Sequence, residues 1–323
     1  MKKTTKILII VATVLVVVGL SIFLIVLAQN DFDITKLDDH RTIVREEILT
    51  EDFNNIAIDV EIDDIIFLKT EEASAKVICK ESEKLKFQIN VVNDTLEIKA
   101  EDNNKWYRRF TFGFRFKTEQ ISIYLPKNNY HVLTVNNDVG NLKVPAGFTF
   151  TKIDVEVSTG NIEILSKVNN LNIETSTGDV KLSNLSADNI NVETSTGKHT
   201  LENINVTNQI KLDTSTGTVT LKSVNLATLR VAISTGRVNL TDVVATNSFN
   251  INSSTGRVSL EKCDAAEIYI KTSTGSVVGT LLTSKIFHTK SDTGDINVPK
   301  TITGGICDIE TGTGDIDITI LNP

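Results

Sequence analysis

From about residue 150 onward the chain alternates apolar and polar positions with a period of two, and glycine punctuates the alternation at regular intervals. Around Gly178, Leu171 and Ile173 stand seven and five residues before the glycine, Val180 and Leu182 two and four after it, and Leu185 seven after it. The earlier pair recurs as Ile153/Val155, Ile190/Val192, Ile210/Leu212, Leu229/Val231, Phe249/Ile251 and Ile268/Ile270. The later pair recurs as Ile162/Ile164, Val219/Leu221, Val238/Leu240 and Val258/Leu260, and the single position as Ile204, Val224, Val243, Cys263 and Leu282. A period of two belongs to a strand with one buried face. Each repeat therefore predicts two short strands and a corner, with five side chains pointing inward.

The glycines are Gly140, Gly160, Gly178, Gly197, Gly217, Gly236, Gly256, Gly275, Gly294 and Gly314, spaced 18 to 20 residues apart. Seven of them close a Ser-Thr-Gly triplet. Five inward side chains cannot close a core alone, so the repeats must stack, each inward residue over its equivalent in the next coil. The expected fold is all-β: a parallel β-solenoid of about ten 19–20-residue coils, roughly 45–50 Å long at about 4.8 Å per coil. The glycine is expected to take a positive-φ turn. Asn184, Asn203, Asp242 and the pair Asn169-Asn170 suit the connecting corners. Right-handed winding is the default for parallel crossovers.

Residues 45–130 lack the glycine period but carry strand-like runs, with Asn93-Asp94 reading as a hairpin turn. They are expected to form a β-rich cap over the solenoid at 131–323. Asp315-Ile316-Asp317-Ile318 would end the last coil, its aspartates blunting edge pairing or receiving a partner.

Before the cap, Lys2, Lys3 and Lys6 precede an uncharged apolar run over 7–28. That length spans the hydrocarbon core as a helix. The basic flank holds residues 1–6 in the cytoplasm, and 29–44 serves as a linker to an extracytoplasmic domain. Cleavage after Val26-Leu27-Ala28, as in a signal peptide, is the competing reading, although the run exceeds a usual h-region.

Without residues 1–28 the chain holds 30 basic and 41 acidic residues. That field repels nucleic acid and anionic lipid and suits cationic partners, or anionic wall polymers bridged by divalent metal. Cys79, Cys263 and Cys307 are odd in number and read as small buried side chains.

The anchor, the β-rich head and repeats such as Glu174-Thr175-Ser176-Thr177-Gly178-Asp179-Val180 resemble the bacterial "putative adhesin" β-strand-repeat family, which includes LiaG-like proteins of Gram-positive envelope-stress operons. The resemblance covers about residues 45–320. It implies a bacterial surface or membrane protein with no established catalytic residues to carry over; an envelope protein or cell-wall polymer is the expected partner of the exported part, and no cofactor is expected.

Candidate chemistry is sparse. Four residues before each glycine runs an outward row: Glu156, Glu174, Glu193, Asp213, Ala232, Asn252, Lys271, Lys290, Glu310. Carboxylates in direct register repel one another, so Glu156, Glu174, Glu193 and Asp213 form a candidate cation strip, with a plain solvated surface as the alternative. Catalysis by such carboxylates needs a pocket that splits their pKa values, which a flat strip lacks. Thr175/Thr177, Thr194/Thr196, Thr214/Thr216 and Thr272/Thr274 make a Thr-x-Thr array. Its first member shares parity with the inward residues, which argues for a structural hydroxyl ladder and against an outward ice-binding face. His199 occupies an inward position, while His40, His131 and His288 are scattered without zinc-ligand spacing. The cluster Trp106, Tyr107, Arg108, Arg109, Phe110, Phe112 and Phe114 is either a hairpin packing on the cap or a loop that docks on membrane or a partner. Three functions follow: a non-enzymatic binding or scaffold surface, a self-assembling stalk, or a β-helical polysaccharide-acting enzyme. The third is opposed by coil lengths too uniform for inserted active-site loops.

Overall fold

The computed structural model of the chain describes residues 3–29, 32, 43–81, 86–101 and 119–321. Residues 3–29 form one helix, α1 (Lys3–Gln29), of which Ile9–Gln29 is long and apolar enough to cross a membrane. Within the apolar span Thr13 and Ser21 donate to the carbonyls of Ile9 and Val17 at 2.8 Å. The remaining described elements are strands.

The fold is all-β and solenoid-like, with a mixed sheet. Between repeats the pairing is parallel and in register: Leu171 lies between Ile153 and Ile190, and Ile173 between Val155 and Val192. All six are buried, and they belong to one continuous apolar core. Equivalent residues in register are what a period-two pattern repeated every 18 to 20 residues requires, because a slip of one would turn every inward side chain to water.

Two polar columns fix the stacking. From Gly140 to Gly197 the residue after the glycine accepts, through its side-chain oxygen, the backbone N–H of its equivalent in the next coil: Asn141 from Asn161, Asn161 from Asp179, and Asp179 from Lys198, each at 2.9 Å. Six residues after the glycine, Asn184, Asn203, Ser223, Asp242 and Lys262 all adopt left-handed backbone with φ between 52° and 55°. Asn and Asp tolerate that region; Ser and Lys at the same corner were not foreseen from sequence.

The glycine column has two causes. At Gly178 the turn itself needs φ +156°, whereas Gly217 lies outside the strained region. What excludes a side chain at Gly217 is proximity: a Cβ there would sit 1.8 Å from the Gly197 carbonyl oxygen. The positive-φ expectation thus fails at Gly197 and Gly217, where close coil approach takes over.

At the N-terminal end, β1 (Ile43–Leu49), β2 (Asn55–Lys69), β3 (Ala75–Glu81), β4 (Lys86–Val92), β5 (Thr95–Glu101) and β6 (Glu119–Leu125) precede β7 (Asn129–Val139) and β8 (Leu142–Val144). Antiparallel pairs β1–β3, β3–β6 and β4–β5 make this end mixed. Asn93 and Asp94, at φ 48° and 63°, form the expected β4–β5 turn. Yet β2 pairs in parallel with β7 and β8, and the Asp63 carbonyl lies under Gly140 as one glycine lies under the next. β5 and β6 stack in parallel beneath β2. Without a glycine, that coil was invisible to a search by period.

The opposite end departs from sequence order. The strand Val258–Thr274, which leads to Gly275, pairs with Gly305–Thr313, and Gly305–Thr313 pairs in turn with Lys285–Thr293. The C-terminal coil is therefore inserted beneath the coil that precedes it, and Ile316 and Ile318 are buried rather than terminal. A smaller shift accompanies this: Leu281, not Leu282, fills the corner opposite Cys263, because Gly279 replaces the usual apolar residue and the register slips there.

Candidate functional site

Four residues before each glycine the strand faces solvent, three before it faces the core, and two before it faces solvent again. Stacked over successive coils, the two outer rows wall a groove of about 620 Å³ along the stack. Glu156, Glu174, Glu193 and Asp213 form one wall; Ser158, Ser176, Ser195 and Ser215 form the other. The expected flat strip is thus a trough. Glu174 lies in register between Glu156 and Glu193, and Asp213 is ion-paired to Lys211 at 2.7 Å. Further along, the carboxylate wall passes through Ala232 and Asn252 to Lys271. There the inserted coil changes the order read from sequence: Lys271 pairs with Glu310 at 3.0 Å, and Lys290 lies beyond Glu310. The row runs from acidic to mixed charge.

The floor is a hydroxyl column. Thr175, Thr194, Thr214, Ser253 and Thr272 are buried, as their parity required. The Thr194 hydroxyl donates to Thr214 Oγ1 at 2.9 Å and contacts His199 Nε2 at 2.9 Å. His199 is fully buried, and Nδ1 has no hydrogen-bond partner. Burial pushes its pKa down to about 4, against the weaker opposing pull of Asp179 and Asp213. A neutral ring in a core slot between Val180 and its equivalent in the next coil is a packing element.

Across the next face, Glu163 accepts from Lys181 at 2.8 Å and meets Lys143 at 3.2 Å, and the Lys181 hydrogen bond leads in lowering its pKa. Cys79, Cys263 and Cys307 are buried and unpaired, their thiol pKa values raised to about 12, 11 and 12 mainly by burial. Among the described residues no group of three or more His, Cys, Asp or Glu side chains is placed to hold a metal ion. Trp106, Tyr107, Arg108, Arg109, Phe110, Phe112 and Phe114 lie outside the described residues. A second aromatic group went unnoticed in the sequence: Phe53, Tyr130, Phe148 and Phe150 meet at ring separations of 5.9 to 6.4 Å, bringing together distant segments.

Fold and groove together define a repetitive β-solenoid-like protein with a long polar surface. The chain belongs to the Toastrack DUF4097 family, whose model matches residues 53–242 and 208–322. A solved structure described as a "putative lipid binding protein" from Parabacteroides distasonis shares the fold at 14% identity, with 87% of this chain and 98% of that one covered and a TM-score of 0.51. A "putative adhesin" from Bacteroides fragilis aligns at 14% identity over 86% of this chain and 97% of its own, with a TM-score of 0.40. No curated protein matches the sequence.

Proposed function

We propose that this protein is a non-enzymatic, single-pass membrane protein of the bacterial envelope that presents its groove as a binding surface outside the cytoplasm. In this reading residues 1–6 are a cytoplasmic tail, 7–28 the anchor and 29–44 a linker. A cap over 45–130 then covers a rod of about ten parallel coils over 131–323. The observation that carries the reading is the groove, whose walls repeat coil after coil with no unique constellation of reactive groups. Repetition suits an extended polymer or peptide, which meets equivalent side chains about every 4.8 Å. Its polar, acid-rich walls favour a cationic protein segment or an amino-bearing wall polymer over an acyl chain.

The test is retention of envelope components by the immobilised full-length protein, compared with Glu174→Ser/Glu193→Ser and with residues 105–116 replaced by a Gly/Ser loop. Loss of a salt-sensitive ligand in the first variant alone supports the groove. Loss only in the second moves recognition to the aromatic–basic segment, and equal retention by all three refutes both sites.

A further inference from the structure

The slot occupied by the C-terminal coil is made by residues distant in sequence from what fills it. Gly305–Thr313 and Ile316–Ile320 lie between the coil of Gly275 and the coil of Gly294. Cys307, Ile309, Ile316 and Ile318 are essentially inaccessible there. The outer coil, by contrast, offers Thr289 where the neighbouring coils offer Ile309 and Ile270.

The preceding coil is a poor substitute for that filling. Docked in sequence order, Thr289 would face Ile270 and Lys290 would stand beside Lys271 at about 4.8 Å. In the observed order Ile309 faces Ile270, and Glu310 pairs with Lys271 at 3.0 Å. Until residues 305–320 arrive, the slot is thus an open apolar edge that its own neighbour fills badly. The outer coil then closes over it through Lys285, which is almost wholly buried and reaches Asp264 at 2.6 Å past Gly305.

Residues 298–304 connect the outer coil to the inserted one, and within them Ile302 is 91% exposed. An isoleucine so exposed on a hinge gains cover when two hinges straighten and run alongside each other. We propose that residues 305–320 are exchangeable: the slot accepts the C-terminal segment of a second copy of this chain, and reciprocal exchange yields a dimer joined at this end. Every contact of the inserted strands re-forms in the exchanged state, leaving the hinge as the part that changes.

The test co-expresses two differently tagged full-length chains, one carrying Lys271→Cys and the other Glu310→Cys. These positions are in register on adjacent strands, close enough for a disulfide, and the native cysteines are buried. Exchange predicts an oxidised product bearing both tags, reduced several-fold by Ile302→Ser. A chain carrying both substitutions that forms only an intramolecular disulfide, with no mixed-tag product in the pair, overturns the proposal. So does failure of the doubly substituted chain to crosslink at all.

Discussion

Two single residues show how stacking turns local chemistry into a constraint on the whole column. His199 enters a slot that most coils give to valine or isoleucine, and it pays with an unpartnered Nδ1 and a ring held neutral. Its folded pKa of about 4 lies below the unfolded value near 6.5. The unfolded chain therefore binds the extra proton as pH falls through that window, and the stability contributed above it is lost on the way down. His199→Val is expected to be more stable than the parent, with the difference growing by about 3 kcal/mol between pH 6.5 and pH 4 in denaturant titrations. Parallel pH profiles for the two proteins would remove His199 as the source. Gly217 makes the opposite point. Gly217→Ala drives a Cβ to 1.8 Å from a backbone oxygen that cannot move without moving its coil, so a loss of roughly 3 kcal/mol is expected in the same measurement.

At the level of the element, the strand–turn–strand repeat was legible because its signals agree. Alternation gave the buried face, Ser-Thr-Gly marked the turn, and Asn184, Asn203 and Asp242 marked the corners. Legibility failed where the residue that marks a position in other coils was replaced. Lys262 sits in the same left-handed corner at φ 52°, and Asp63 stands where later coils have glycine. Nothing in lysine announces a left-handed corner, and nothing in aspartate marks the place in the stack that glycine marks elsewhere. The corner yields a direct test: Lys262→Asn is expected to stabilise the protein by about 0.5–1 kcal/mol, part of the left-handed penalty that an Asn side chain relieves. No gain in the denaturation midpoint would mean that the corner carries no strain worth relieving. The groove was half legible. Its acidic row was read residue by residue, but the groove is made by that row together with the serines two positions on, over the buried Thr175, Thr194 and Thr214. A one-dimensional pattern records which way each side chain points and not how far apart two outward rows stand.

Across the whole molecule the least legible feature is the order of the last coils, since a repeat invites the assumption that neighbours in sequence are neighbours in space. Sequence does hold the reason for the exception: Thr289 is a poor core residue beside Ile270, and Lys290 is a poor neighbour for Lys271. These become arguments only when the two orders are compared side by side. They also separate the orders experimentally. In a stack that followed the sequence, a chain ending at Gly304 would lose one terminal coil and keep the coil of Gly294 docked. In the observed stack the same truncation removes an interior layer, and what remains must place Thr289 on Ile270 and lysine beside lysine. The expected outcome is that residues 282–304 become sensitive to limited proteolysis while the coils through Gly256 stay protected, because solenoid stability is carried by nearest-neighbour contacts. Protection of 285–297 in the truncated chain would mean that the outer coil can dock directly, and that the inserted order is one of two packings this end of the rod can adopt.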